Sequence, residues 1–282
     1  MQPHHGVTDR WSDVAPFWEK HRDIIRQMFA PVTEALIQDA RIGSGHIVLD
    51  IATGPGEPAL SVAPLVGPTG RVFGIDPVPE MAAAARRAAD RLGIDNARFD
   101  VAPADRLPFA ADTFDAVISR FGVMFVPSPV DAVREMLRVL KPGGRLGFAV
   151  WHYADANPFF HSLTRVIDRY IDSSPPAPDA PGAFRFADPG KLCEILSQAG
   201  AVAPAERLLQ FAIQAPISAE DFLTVRCEMS ESLREKFAKL SSEHLTEVKR
   251  DALDAFRQYS TESGMSFPAQ VLIVSGAKKH PA

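Results

Sequence analysis

The sequence predicts an α/β protein built on a doubly wound, mostly parallel sheet. Short apolar runs alternate with helical stretches, as they do in βαβ units. A glycine-rich turn at residues 54–56 follows the first apolar run. The second apolar run ends in Asp76, 20 residues after Gly56, which is the distance at which one βαβ step brings a carboxylate to a ribose. These observations predict a nucleoside cofactor at the carboxyl ends of the strands.

Composition narrows the class of protein. The chain has 282 residues, an ordinary globular composition and a net charge of −5, so a nucleic-acid partner is not expected. No run of 18 apolar residues and no signal-peptide core are present, so we expect no membrane span and a cytoplasmic location. Cys193 and Cys227 fit neither a disulfide framework nor a metal pattern, and no metal is expected.

The chain to residue 151 reads as a helical segment followed by five strands. Residues 11–40 are predicted helical, with a new helix starting at Pro31. The near-continuous apolar first strand is typical of a sheet covered on both faces. Pro58 suits the first turn of a helix, and Gly93 ends the next one. The predicted strands are 46–52, 71–76, 97–102, 114–119 and 145–151, and the predicted helices are 58–66, 79–92 and 130–140.

After residue 151 the regular alternation of strands and helices ends. Two further strands are predicted there, which brings the predicted sheet to seven strands. Ser218 with Asp221 resembles a capping box before an amphipathic stretch at 218–260. The other predicted elements are helices 157–171 and 189–199, a proline-rich loop 173–182, and strands 206–214 and 269–274. We therefore expect a helical cap (1–40), a cofactor-binding core (41–152), and a remainder of the sheet (153–282) with an inserted helical lid at about 153–185 and 218–262.

The neighbours of the turn favour one cofactor over another. Residues 54–59 satisfy the dinucleotide fingerprint, with alanine in its third small position. A pyrophosphate needs backbone N–H donors, and Pro55 and Pro58 lack them. Glu57 and Asp50 add negative charge where phosphates would lie. The same residues suit S-adenosylmethionine, which has no phosphate and carries a sulfonium and an ammonium.

Three segments carry a family resemblance. VLDIATGPGEPAL resembles the first motif of class I S-adenosylmethionine-dependent methyltransferases, and VFGIDPVPEM resembles their second. Residues 104–151 resemble the next two strands and their connections. The resemblance spans about residues 46–151, has the character of the ubiquinone/menaquinone-biosynthesis type of small-molecule methyltransferase, and implies a Rossmann-like methyltransferase fold with helical lid elements.

The resemblance also implies roles for particular residues. Asp50, Ala52, Thr53, Gly54 and Gly56 would lie along the methionine and ribose, Asp76 and Pro77 at the ribose hydroxyls, Met81 and Ala104 at the adenine, and Ser119 and Arg120 at the methionine end. Family members often carry an aspartate for the adenine amino group where this chain has Pro103, and Asp105 is a candidate to replace it. Two roles are open for Arg120: its guanidinium pairs with the cofactor carboxylate, or it pairs with a core acid such as Asp50 or Asp115.

Methyl transfer from a sulfonium mainly requires the protein to position the acceptor and to exclude water. A general base is needed only when the acceptor is a hydroxyl, a thiol or a carbon acid. His152 and Tyr153 follow the fifth strand directly and are the candidate bases. Residues 119–122 lack the element with which amino-group methyltransferases of DNA or protein grip a planar nitrogen, so O- or C-methylation is favoured.

Aromatic side chains suggest the acceptor class. Phe17, Trp18, Phe121 and Trp151 flank the expected cofactor contacts, and we expect them to line a pocket for a small apolar or aromatic acceptor. Two alternatives stay open: a protein that binds S-adenosylmethionine or its demethylated product without methylating, and an NAD(P)-dependent oxidoreductase. The apolar face of residues 218–260 fits either a lid or a homodimer interface.

Overall fold

The computed structural model describes residues 5–171, 177 and 179–280, and this part of the chain contains eleven α-helices and eight strands. The helices are α1 (His5–Lys20), α2 (Arg22–Met28), α3 (Ala30–Asp39), α4 (Ala59–Val66), α5 (Pro79–Leu92), α6 (Pro129–Val139), α7 (Pro158–Ile167), α8 (Lys191–Ala199), α9 (Ala219–Met229), α10 (Glu231–Ala238) and α11 (Ser242–Phe256). The strands are β1 (Ile47–Ile51), β2 (Arg71–Asp76), β3 (Ala97–Val101), β4 (Phe114–Arg120), β5 (Leu140–Trp151), β6 (Val202–Ala215), β7 (Ser260–Thr261) and β8 (Gly264–Ala277).

The sheet confirms the predicted fold class. Its main path has seven strands in the order β3-β2-β1-β4-β5-β8-β6, and the two-residue β7 pairs with β8 beside that path. Strands β1 to β5 run parallel, whereas β8 is antiparallel to both β5 and β6. The strand order reverses between β1 and β4. In doubly wound sheets, ligands bind at the carboxyl ends of the strands beside such a reversal.

The predicted bounds of the last two long strands are wrong. Strand β6 covers Val202–Ala215 and β8 covers Gly264–Ala277, instead of 206–214 and 269–274. The two strands pair with each other from Val202 opposite Ala277 to Ala215 opposite Met265, so backbone hydrogen bonds hold both ends extended. The hydrophobic pattern marks only the buried middle of each strand, and it therefore underestimates their lengths.

The core lies on both faces of the sheet. Val48 and Leu49 are adjacent in β1 and both fully buried, and they belong to different hydrophobic clusters because successive side chains of a strand point to opposite faces. Helices α4 and α5 cover one face, and α6 and α8 belong to the cluster on the other. The predicted α5 has the bounds found, from Pro79 to the left-handed Gly93 that follows it.

The stretch 218–260 forms three helices, each begun by a serine. Ser218 accepts from the Asp221 N–H, as predicted, and Ser230 and Ser241 cap α10 and α11 in the same way. Within the described residues no helix is both long and apolar enough to cross a membrane. Half of the predicted loop 173–182 lies outside the described residues. The division into cap, core and lid stays a prediction.

Candidate cofactor and acceptor site

Left-handed backbone marks the carboxyl edge of the sheet at the strand reversal. Ala52, which follows β1, has a φ of +54°, and Phe121, which follows β4, has a φ of +62°. Residues with a Cβ rarely adopt this conformation, and such residues concentrate at functional sites. A Cβ on Gly122 would lie 2.5 Å from the Cβ of Ala52, so the ends of β1 and β4 pack directly against each other.

Asp76 links the end of β2 to the glycine turn. Its Oδ2 accepts a hydrogen bond from the backbone N–H of Gly54 at 2.9 Å, and its Oδ1 accepts from the N–H of Val78 at 3.0 Å. The carboxyl is buried, and desolvation raises its pKa to about 6 against the lowering effect of these two bonds. Each oxygen keeps a second lone pair with which it can accept from a ribose hydroxyl.

Asp50 is a fully buried acid with one oxygen in use. Its Oδ2 accepts from the Thr53 hydroxyl at 2.7 Å and from the Ala59 N–H at 3.1 Å. Its Oδ1 has no hydrogen-bond partner within the described part of the chain. Desolvation raises the pKa of Asp50 to about 7, although these bonds and the charge of Arg120 act in the opposite direction. A cationic ligand group would favour the charged carboxylate.

Three backbone donors of the turn are already committed. The Gly54 N–H binds Asp76, the Gly56 N–H binds the carbonyl of the residue three positions earlier, and the Ala59 N–H binds Asp50. The two prolines between them have no N–H. A pyrophosphate would need such donors free. The geometry therefore agrees with the prediction from sequence that the turn does not serve a dinucleotide.

The two glycines of the turn differ in what surrounds them. A Cβ on Gly54 would meet no atom within 4 Å, so its Cα faces open space. A Cβ on Gly56 would lie 2.6 Å from Cδ1 of Leu60 and 3.4 Å from Cα of Ala85. Gly54 thus offers bare backbone to a ligand, whereas the close packing of α4 and α5 requires glycine at position 56.

A group of buried charges lies between the turn and the N-terminal helices. Glu57 accepts from the Ser61 hydroxyl at 2.6 Å, and its other oxygen is 3.5 Å from a guanidinium nitrogen of Arg22. Arg120 donates to the Thr33 hydroxyl at 2.8 Å. Desolvation lowers the pKa of Arg120, while the charges of Glu57 and Asp50 raise it.

The structure limits the predicted partners of Arg120. Asp115, one of the two core acids predicted to pair with it, is engaged elsewhere, since it binds Lys141 at 2.8 Å and the Ile47 N–H at 2.8 Å. Arg120 makes no ion pair within 4.0 Å to any described carboxylate, although Asp50 acts on its charge. Pairing with the cofactor carboxylate therefore stays available to it.

The remaining predicted cofactor residues differ in exposure: two are buried, one is half-buried and two are exposed. Met81 is buried with Val78 against Trp11 and Trp18 of α1, so α1 covers the end of β2. Ser119 is buried, and its hydroxyl donates to the Ile51 carbonyl at 2.8 Å, which ties β4 to β1. Two further positions are exposed, Pro77 and Asp105, and Ala104 is half-buried.

The candidate bases lie at the end of β5, next to β8. Nδ1 of His152 is 3.1 Å from the amide oxygen of Gln270, so it donates there and leaves Nε2 as the acceptor. Tyr153 is exposed, and its pKa is raised by desolvation and by a hydrogen bond to Asp188, so it holds its proton at neutral pH. The fully buried Asn157 ties this segment together: its amide donates to the Tyr153 carbonyl at 2.9 Å, and its oxygen accepts from the Gln270 N–H at 2.9 Å.

The predicted pocket aromatics are only partly brought together. Phe121 and Trp151 stack with ring centroids 4.4 Å apart and an interplanar angle of 4°, and Phe29 of α2–α3 meets both rings edge-on. Trp18 donates its indole N–H to the Met229 carbonyl at 3.1 Å and so joins α1 to α9. Phe17 instead lies under the guanidinium of an arginine on α10, at 5.0 Å.

A groove is present among the helices of the region 218–260. A groove of about 560 Å³ lies between α9, α10 and α11, with Leu223, Cys227 and Phe237 among its lining residues, and it is separate from the glycine turn. Within the ranges that the structure describes, no three His, Cys, Asp or Glu side chains are grouped to hold a metal ion.

The fold and site together define the class I S-adenosylmethionine-dependent methyltransferase fold: the strand order, the turn after β1 and the acid ending β2 all belong to it. Residues 48–144 match the family described as methyltransferase domain. The family predicted from the motifs is confirmed there.

Two curated relatives illustrate the match. The uncharacterized methyltransferase YcgJ of Bacillus subtilis (strain 168) is 35% identical over 139 residues, which cover 49% of this chain and 53% of that protein. The ubiquinone/menaquinone biosynthesis C-methyltransferase UbiE of Pseudomonas putida (strain GB-1) is 45% identical over 111 residues, which cover 39% of this chain and 43% of that protein. The chain thus spans about half the length of the curated relatives it matches.

Solved structures extend the likeness of fold to most of the chain. The YcgJ crystal structure has a TM-score of 0.57 at 23% identity and covers 88% of this chain and 98% of its own. Phosphoethanolamine N-methyltransferase 2 of Haemonchus contortus, solved in complex with S-adenosyl-L-methionine, has a TM-score of 0.58 at 17% identity and covers 99% of this chain and 62% of its own. At these identities the likeness concerns the fold alone.

Three residues of the site are not predicted by any pattern in the sequence. Arg22 reaches Glu57, Thr33 accepts from Arg120, and Asn157 binds Gln270. The partners are 35, 87 and 113 positions apart in the chain, so no local motif connects them. Only the assembled fold shows these contacts.

Proposed function

We propose that the protein is an S-adenosylmethionine-dependent methyltransferase that acts on a small apolar or aromatic acceptor. The observation that carries this proposal is the state of the glycine turn. Three of its N–H groups are bound, to Asp76, Asp50 and a carbonyl, and Asp50 keeps an oxygen that is buried without a partner among the described residues. Such a site has few donors left for phosphate and has carboxylates for a cation.

The residues present fit this cofactor. Asp76 would bind the ribose hydroxyls, and the methionine part would lie against the open Cα of Gly54. Arg120 would hold the carboxylate of the amino acid, and Asp50 would balance its ammonium. Met81, under Trp11 and Trp18, would face the adenine. The complex of phosphoethanolamine N-methyltransferase 2 with S-adenosyl-L-methionine supports the choice of cofactor for this fold.

The acceptor would lie beyond the end of β4. Bound S-adenosylmethionine supplies a methyl group on a sulfonium, and the protein must align the acceptor with it and exclude water. Phe121, which is half-buried and stacks on the buried Trp151, would offer an apolar ring to the acceptor. His152, with Nε2 free to accept, is the proposed base for an O- or C-methylation, and its protonated neighbour Tyr153 would be a hydrogen-bond donor. The relative UbiE, a C-methyltransferase, supports carbon as one acceptor atom.

Calorimetric titration with S-adenosylmethionine, S-adenosylhomocysteine and NAD tests the cofactor. We expect both sulfur ligands to bind with 1:1 stoichiometry and NAD to give no heat of binding. Binding of NAD in place of the sulfur ligands would contradict the proposal and restore the oxidoreductase alternative.

A turnover assay with quinols, phenols and fatty-acid-like acceptors then separates catalysis from binding alone. We expect formation of S-adenosylhomocysteine with at least one acceptor class, and its loss in His152→Ala with unchanged cofactor affinity. Tight cofactor binding without turnover on any class would instead favour the non-catalytic binding protein.

A further inference from the structure

An arginine interrupts the apolar face of α9. Phe222, Arg226 and Met229 are spaced at i, i+4 and i+7, so they share one side of the helix, and all three are buried. Arg226 is 7% exposed. Apolar residues are expected at such a position, because a buried guanidinium loses its hydration.

Among the described residues, the guanidinium of Arg226 has aromatic neighbours but no anionic one. Its central carbon lies 4.0 Å from the ring centroid of Phe159 and 5.0 Å from that of Phe160. No described carboxylate is within ion-pair distance, and Nε is buried without a hydrogen-bond partner among the described residues. Desolvation lowers the pKa of Arg226 to about 10, so the group stays charged at neutral pH. Contact with two rings offsets only part of the lost hydration.

The arginine stands at one end of the aromatic cluster that begins beside the glycine turn. Phe121 stacks on Trp151, and Trp151 meets Phe160 edge-on at 4.8 Å and lies nearly parallel to Phe159 at 6.2 Å. Arg226 lies against the last two rings. The same helix is tied to α1, whose tryptophans cover Met81, by the hydrogen bond to the Met229 carbonyl. The cluster therefore connects the candidate methyl-donor site to an uncompensated buried cation.

We propose that Arg226 binds a carboxylate carried by the methyl acceptor, so that the acceptor is an aromatic acid accommodated by this aromatic cluster. This assignment rests on the proposed methyltransferase function. A planar carboxylate matches the fork of guanidinium N–H donors, and it would supply the hydrogen-bond acceptors that the surrounding protein does not. An uncharged acceptor would leave the guanidinium uncompensated, so Arg226 also selects against the neutral analogue.

Matched acid and amide ligands test the assignment. The probes are 4-hydroxybenzoate against 4-hydroxybenzamide, and 4-hydroxycinnamate against its amide, titrated with and without S-adenosylhomocysteine and followed by tryptophan fluorescence. In the wild type we expect each acid to bind at least about tenfold more tightly than its amide, since a charge-assisted hydrogen bond is at stake. The ratio within a pair cancels any general loosening of the pocket.

Three variants complete the test. Arg226→Met, which keeps an apolar side chain of similar length, should reduce the acid-to-amide preference to about one, and Arg226→Lys should retain part of it. Arg234→Met is the matched control, because Arg234 also lies on a ring, that of Phe17, but is exposed. It should keep the wild-type ratio.

The outcomes separate this assignment from the proposed function. A wild-type ratio near one in both pairs, a ratio that persists in Arg226→Met, or no binding of either acid at about 10 mM would overturn the role of Arg226. Failure of S-adenosylhomocysteine to bind would contradict the proposed function instead, and the ratios measured without it would still decide the role of Arg226.

Discussion

The carboxylate of Asp76 accepts the backbone N–H of Gly54 at 2.9 Å, so the acid that ends β2 determines the shape of the turn that follows β1. This bond removes a donor that a phosphate would need and aims the open Cα of Gly54 away from protein atoms. On the proposed function, cofactor selection and local folding therefore depend on the same side chain.

Replacing Asp76 should weaken both cofactor binding and the turn. Asp76→Ala leaves the N–H groups of Gly54 and Val78 without their acceptor, which should cost about 1–3 kcal/mol of unfolding free energy. Loss of the ribose contact should lower the affinity for S-adenosylhomocysteine at least about tenfold by calorimetry. Asp100→Ala, at an exposed position of the neighbouring strand, is the control and should change neither quantity. Wild-type affinity in Asp76→Ala would exclude the ribose contact.

The two glycines of the turn should respond differently to alanine. Gly54→Ala places a Cβ in open space at a φ of +55°, so it should cost about 1 kcal/mol of stability while obstructing the cofactor. Gly56→Ala drives a Cβ into Leu60 at a φ of +106° and should cost about 3 kcal/mol or more. Urea unfolding and calorimetry on both variants check the contrast. Equal losses of affinity, once corrected for stability, would contradict it.

Local chemistry explains which parts of the fold were predictable. Helix α5 has its predicted bounds because Pro79 suits a first turn and Gly93 adopts the left-handed conformation that ends a helix. The antiparallel β8 and its full pairing with β6 depend on contacts between distant segments, which no short pattern encodes. In the site, the glycine turn, Asp50 and Asp76 could be predicted because one βαβ unit sets their spacing in the sequence. The partners of Glu57, Arg120 and Gln270 could not be predicted, because they come from other elements far away in the chain.

The buried acids should make the stability of the ligand-free protein depend on pH. The pKa of Asp50 is raised from 3.8 to about 7 and that of Asp76 to about 6, chiefly by desolvation. A raised folded-state pKa means that the folded state binds more protons, so this stability is present below about pH 4 and is lost as pH rises through about 6 to 7. Urea midpoints at about pH 5 and pH 8 should therefore differ less in Asp50→Asn than in the wild type. An identical pH dependence in the variant would show that Asp50 is ionised throughout.

The buried Asn157 should hold the His152 segment in place. Asn157→Ala leaves the Gln270 N–H and the Tyr153 carbonyl unpaired in the interior, with an expected loss of about 1–3 kcal/mol in unfolding free energy. Because the same contacts fix Gln270, which binds Nδ1 of His152, the NMR chemical shifts of the His152 ring should also change. Asn96→Ala is the control: Asn96 binds the Ala63 carbonyl at 2.7 Å, and its loss should leave those chemical shifts unchanged.

The central claim is that the turn after β1 and the acids beside it hold S-adenosylmethionine with its sulfur toward the aromatic stack. A crystal structure with S-adenosylhomocysteine bound tests this most directly. We predict ribose hydroxyls on the Asp76 carboxylate, the amino-acid part against Gly54 with its carboxylate toward Arg120, and the sulfur facing Phe121. A ligand bound away from Asp76, or oriented with its adenine on the Phe121–Trp151 stack, would contradict it.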